Sequence, residues 1–150
     1  MATNLWKPDY MLDIEVIDGQ HKEFFGICLK ATMLCEAGRK KPIQLSDIIH
    51  VLFSMRSYAF KHFHTEETLL LKYKYPKIYE HLALHDQFLA SFQTFTADLH
   101  GRLSDSQGQE AVLACAEHIN TYVVGWWGEH ILNADQDYAT YMRSRKMPIA

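Results

Sequence analysis

Four stretches of the chain repeat one spacing, in which apolar or neutral residues fall alternately four and three positions apart. The first passes through Ile17, His21, Phe24, Cys28, Ala31 and Cys35, and the second through Ile48, Leu52, Met55, Ala59, His62, Glu66 and Leu69. The third takes in Ile78, His81, His85, Phe88, Phe92, Phe95 and Leu99, and the fourth Val112, Ala116, Ile119, Val123, Trp126 and His130. Steps of four and three trace one stripe along an α-helix, and an apolar stripe must be covered by another element. Four such helices with short connections predict an all-α, antiparallel up-down-up-down four-helix bundle.

Local signals suggest where each helix starts and stops. Asp18 is a candidate cap for the first helix, and the cluster Gly38 to Pro42 closes it. Ser46 or Asp47 would cap the second, which runs to about Tyr73, and Pro76 would begin the third, which ends at Gly101. Ser106 with Gln109 has the form of a capping box for the fourth.

Residues 1–17, with Trp6, Tyr10, Leu12 and Ile14, are expected to form an arm across a bundle spanning about 18–134. Tyr138, Tyr141 and Met142 suggest a short closing helix within 135–150, followed by a basic tail from Arg143 to Lys146. A chain of 150 residues is the size of a single domain with its own core.

The stripes are not wholly apolar. His21, His62, Glu66, His81, His85 and His130 occupy positions where the repeat calls for apolar side chains, and Asp135 follows His130 at a spacing of five. In a regular helix that spacing leaves Asp135 about 140° away from His130, so a break is expected after Gly125 and Gly128 to turn both inward. A buried carboxylate needs a strong partner, and a metal is the natural one.

Seven nitrogen and oxygen donors exceed the four of a tetrahedral zinc site. They suit a pair of six-coordinate ions: five imidazoles, two bridging carboxylates and one shared oxygen fill all positions but one. A donor set without thiolate is compatible with iron, although manganese, copper and zinc stay open on softness alone. No Glu-x-x-His motif occurs, which disfavours the ferritin-like carboxylate sites.

Composition excludes other classes. The 15 basic and 18 acidic residues give a net charge of −3, so no nucleic-acid footprint is expected. No apolar run approaches the length of a membrane span, and residues 1–20 lack the apolar core of a secretory signal. Cys28, Cys35 and Cys115 form no C-x-x-C pair, which points to free thiols and a cytoplasmic, reducing setting.

Taken together, Asp18-x-x-His21, His62-x-x-x-Glu66, His81-x-x-x-His85 and His130-x-x-x-x-Asp135 resemble the ligand signature of the hemerythrins, especially single-domain bacteriohemerythrins. Leu5-Trp6 and Asp135-x-x-Tyr138 extend the resemblance over roughly residues 5–142. It implies two irons bridged by Glu66, Asp135 and an oxo or hydroxo group. His81, His85 and His130 would complete one iron and His21 and His62 the other, which would take dioxygen at its open position.

Phe24, Phe63, Trp127 and Ile131 are expected to line an apolar pocket around that open position. The family usually has leucine where this chain has Phe24. Oxygen carriage, storage or delivery by a binding protein, not an enzyme, is the implied function, with an electron donor or an oxygen-consuming enzyme as partner. A sensor of dioxygen, nitric oxide or redox state, or a di-iron enzyme, would use the same residues. His50, His64, His100 and His118 stand apart from the seven, with His64 expected at the surface, Glu67 as a solvated neighbour of Glu66, and Tyr138 as buried packing.

Overall fold

The computed structural model describes residues 4–104 and 108–145. Helices α1 (Glu15–Lys40), α2 (Leu45–Lys72), α3 (Ile78–Ser104) and α4 (Gln109–His130) form the bundle, and no strand occurs among the described residues. In the ring α1 lies against α2 and α4, and α3 lies against the same two, which is the closed order of an up-down-up-down bundle. A single π turn, Ile131–Asp135, joins α4 directly to α5 (Gln136–Ser144). No described helix is long and apolar enough to cross a membrane.

The apolar stripes form the core. Ile17, Phe24, Cys28, Ile48, Met55, Ala59, Phe88, Leu99, Val112, Ile119 and Val123 are all buried. Burying each of the larger ones contributes roughly 1.5–3 kcal/mol relative to exposure. At the lower end of α4 the stripe shifts by one residue: Trp127 is buried, whereas Trp126 is only partly covered.

The arm has a single 3-10 turn, Pro8–Tyr10, and buries Tyr10, Leu12 and Ile14. Asp18 does not cap α1, which begins three residues earlier; it is buried and accepts a hydrogen bond from the Leu12 backbone N–H at 2.9 Å, tying the arm down. Arg143 donates to the Leu12 carbonyl at 3.0 Å, so α5 holds the same segment from the other side.

Gly38 and Gly101 do not end their helices, which continue to Lys40 and Ser104. A Cβ on Gly38 would stand 2.7 Å from a Leu113 methyl, so this glycine permits close approach of α1 to α4. Ser46 and Asp47 lie inside α2, whose N-terminus has no side-chain cap, and α3 begins at Ile78, two residues after Pro76. Ser106 lies outside the described residues, as does Lys146 of the basic tail. Gln109 receives the Ile43 N–H at 3.2 Å and donates to the Gly38 carbonyl at 3.0 Å, so it secures the α1–α2 connection.

The helix does not break after His130. One turn of i→i+5 hydrogen bonding replaces the expected interruption, and a spacing of five then becomes one turn, so His130 and Asp135 face the same way. Gly128 does not loosen α4 either; a Cβ there would lie 2.7 Å from the Tyr10 hydroxyl, so it makes room for the arm.

Candidate metal centre

The four stripes and the π turn bring His21, His62, Glu66, His81, His85, His130 and Asp135 into one buried cluster midway between the helices. Each helix supplies part of it: α1 gives His21, α2 His62 and Glu66, α3 His81 and His85, α4 His130, and the π turn Asp135. Burial of the five rings follows from their places on the stripes.

The donor atoms fall into two groups that share the carboxylates. Glu66 Oε1 lies 2.6 Å from His81 Nε2, 3.0 Å from His85 Nε2 and 3.8 Å from His130 Nε2. Asp135 Oδ1 faces the same side, 3.1 Å from His130 Nε2 and 3.3 Å from His81 Nε2. The other oxygens turn the opposite way: Glu66 Oε2 is 3.2 Å from His62 Nε2, and Asp135 Oδ2 is 3.3 Å from His21 Nε2. One end therefore has three imidazoles and the other two, with both carboxylates spanning them.

The arrangement fits a cation. Glu66 and Asp135 are both 0% exposed, and among the described residues neither oxygen of Asp135 has a hydrogen-bond partner. Burial lowers the His62 pKa more than Glu66 raises it, so the ring is neutral. His62 Nδ1 donates to Gln20 Oε1 at 2.8 Å, which leaves a lone pair on Nε2, 3.2 Å from both His21 Nε2 and Glu66 Oε2. Lone pairs converging in a dry interior repel unless a positive charge lies among them.

Protons can supply only part of that charge. Burial works against imidazolium at His81 and His130, but Asp135 and Glu66 prevail and raise these rings to about 9 and about 10. Burial also pushes the Glu66 carboxyl up, yet His62, His130 and His81 outweigh it and hold the group well below the usual carboxylate range. Asp135 behaves similarly, its burial and the nearby Glu66 opposed by His130 and His21.

A second layer fixes the rings. His85 Nδ1 donates to Glu67 Oε2 at 2.7 Å, so Glu67 is engaged and not merely a solvated neighbour. Tyr138 donates to Glu66 Oε2 at 3.0 Å, so it too belongs to the site and not only to the packing. Gln20, Glu67 and Tyr138 were invisible as partners in the sequence because each reaches a residue on another element. The Asp135-x-x-Tyr138 spacing was the one signal available for Tyr138.

Aromatic rings close the two-histidine end. Trp127 stacks on Phe24 at 3.5 Å between centroids, and it lies 5.2 Å from His62 and 6.0 Å from His21. Phe63 stacks against Trp127 at 5.5 Å and against His85 at 3.8 Å. Ile131 is fully buried at the start of the π turn. His50, His64, His100 and His118 are exposed, away from the cluster.

Residues 12–142 match the family described as Hemerythrin HHE cation binding domain. Among relatives, the protein named Bacteriohemerythrin in Clostridium acetobutylicum is 28% identical over 134 residues, covering 89% of this chain and 97% of the relative. Proteins of the same name in Stenotrophomonas maltophilia and Pseudomonas paraeruginosa are 24% and 26% identical, covering 96% and 95% of this chain and 84% of each relative. With the match spanning all seven clustered side chains and the whole four-helix bundle, the chain belongs to the hemerythrin family of cation-binding domains.

Proposed function

We propose that this protein binds dioxygen reversibly at a pair of non-haem iron ions, for oxygen carriage, storage or delivery. The observation that carries the proposal is the sharing of donors: five imidazole nitrogens divided three and two, with Glu66 and Asp135 each presenting one oxygen to either group. His81, His85 and His130 would hold one ion, His21 and His62 the other, with both carboxylates and an oxo or hydroxo group as bridges. Iron supplies the electrons that reversible dioxygen binding requires, and the end with two imidazoles has the fewer protein donors.

The surrounding side chains suit retention of a gas over its chemical conversion. Phe24, Phe63 and Trp127 screen His21 and His62 from water, and exclusion of water limits proton delivery and irreversible oxidation. Tyr138 is committed to Glu66, and its burial, with the charges of Glu66 and Asp135, raises its pKa well above the usual phenol value. It retains its proton and is a poor acid for turnover. These features support a binding protein; a cytoplasmic setting and an electron donor that restores oxidised iron belong to the same reading.

The test is spectroscopic. Anaerobically reduced, iron-loaded protein should develop a visible charge-transfer band with dioxygen and lose it when the gas is removed. Stoichiometric, irreversible consumption of dioxygen at each exposure would overturn the proposal.

A further inference from the structure

The two ends of the cluster have unequal outer partners. At the three-histidine end, His85 Nδ1 donates to the carboxylate of Glu67, whose side chain is 32% exposed and so keeps a hydrated charge. At the two-histidine end, His62 Nδ1 donates to the neutral amide of Gln20. The amide's orientation follows from its other contact. Gln20 Nε2 is 3.2 Å from Thr65 Oγ1, whose own hydrogen goes to the Lys61 carbonyl at 3.0 Å, so Thr65 must accept and Gln20 Oε1 must face His62.

His21, the other ring at that end, has no hydrogen-bond partner on Nδ1 among the described residues. The bridge is unequal as well. Tyr138 donates to Glu66 Oε2, the oxygen facing His62, and draws electron density from it. Oε1 meets only ring nitrogens, His81 Nε2 at 2.6 Å and His85 Nε2 at 3.0 Å, and receives no hydroxyl hydrogen among the described residues.

A carboxylate accepting the Nδ1 proton makes an imidazole more basic at Nε2 and fixes its orientation, whereas an amide does so weakly. Number of rings, charge of the outer partner and state of the bridging oxygen all favour the same end. We infer that Glu67, Gln20 and Tyr138 are positioning residues that make metal loading ordered. The three-histidine end fills first and holds its ion, and the two-histidine end fills second and exchanges it more readily.

The inference rests on the paired-ion reading above, but its test separates the two. Metal-free protein is titrated anaerobically with Fe(II), by calorimetry with metal analysis, and with Co(II), by NMR of the exchangeable ring protons. Two binding steps are expected, with the shifted Nδ1–H of His85 appearing at the first equivalent and that of His62 at the second.

Glu67→Gln should weaken the first step about 10- to 100-fold, the range for outer partners of metal-bound histidine, and leave the second nearly unchanged. Gln20→Glu should strengthen the second step and narrow the gap, a gain that loss of packing cannot produce. Two equal steps, His62 responding first, or Glu67→Gln weakening both steps alike would overturn the ordering while leaving the ion pair intact. Failure to bind two ions would overturn both readings. Ordered loading without reversible coloration would remove the oxygen function and leave the ordering standing.

Discussion

Glu66 is the residue on which most of the centre depends. Its two oxygens meet His81 and His85 on one side and His62 on the other, and it is fully buried. Glu66→Gln keeps the shape and removes the charge, so the bound metal should fall from two ions per chain to one or none while far-ultraviolet circular dichroism stays unchanged. Two ions retained by this variant would contradict its role as a bridge. Phe24 acts differently, through its stacking on Trp127. Phe24→Ala should cost about 3–5 kcal/mol of stability through the cavity it leaves and should quicken irreversible oxidation severalfold, read as the decay of the oxygenated spectrum. Unchanged decay would mean that water reaches the site by another path. The members of the buried cluster were legible in the sequence because His and Glu on an apolar stripe are conspicuous; Glu67, Gln20 and Tyr138 were not, since their partners lie 18, 42 and 72 positions away.

At the level of elements, the π turn is the feature that period-3.6 reasoning could only approach from outside. The five-residue spacing signalled an irregularity before Asp135, but the chain meets it without leaving the helix. Asn133 helps, donating from its side chain to the Glu129 carbonyl at 2.8 Å. Because residues four apart in an α-helix share a face, deleting the exposed Leu132 should convert the π turn into a regular one and retain metal. Inserting an alanine at the same place should rotate Asp135 away by about 100° and release metal with little change in helix content. Metal analysis of the two variants decides it: loss in both would show that the π geometry itself is required. Helix ends were the least legible part of the fold. Gly38 suggested a stop and instead serves close packing against the distant Leu113, and Asp18 suggested a cap and instead anchors the arm, because α1 starts at Glu15 and Asp18 receives the Leu12 N–H six residues upstream.

For the whole molecule, the bundle holds two buried carboxylates and five imidazoles at its centre, and its stability must follow their protonation. In the metal-free protein His81 and His130 are raised from 6.5 to about 9 and about 10, burial being overcome by Asp135 and Glu66. Their contribution is full below pH 6.5 and is lost as pH rises through 9 and 10. His62 is lowered by burial, so its contribution runs the other way and is lost as pH falls below 6.5. Metal competes for the same nitrogens and is favoured as protons leave. Thermal melting of chelated and loaded protein should therefore diverge as pH rises from neutrality towards 10, and parallel curves would contradict this coupling. The all-α bundle was legible from the four stripes alone, since the same repeat places both the core and the donors.

In the proposed function a pair of irons takes up and releases dioxygen. Metal analysis combined with an optical spectrum of the anaerobically reduced protein, before dioxygen, under it and after its removal, tests this most directly. Two irons per chain and a visible band that appears and vanishes with the gas are expected. Fewer than two irons, or a band that never reverses, would contradict it.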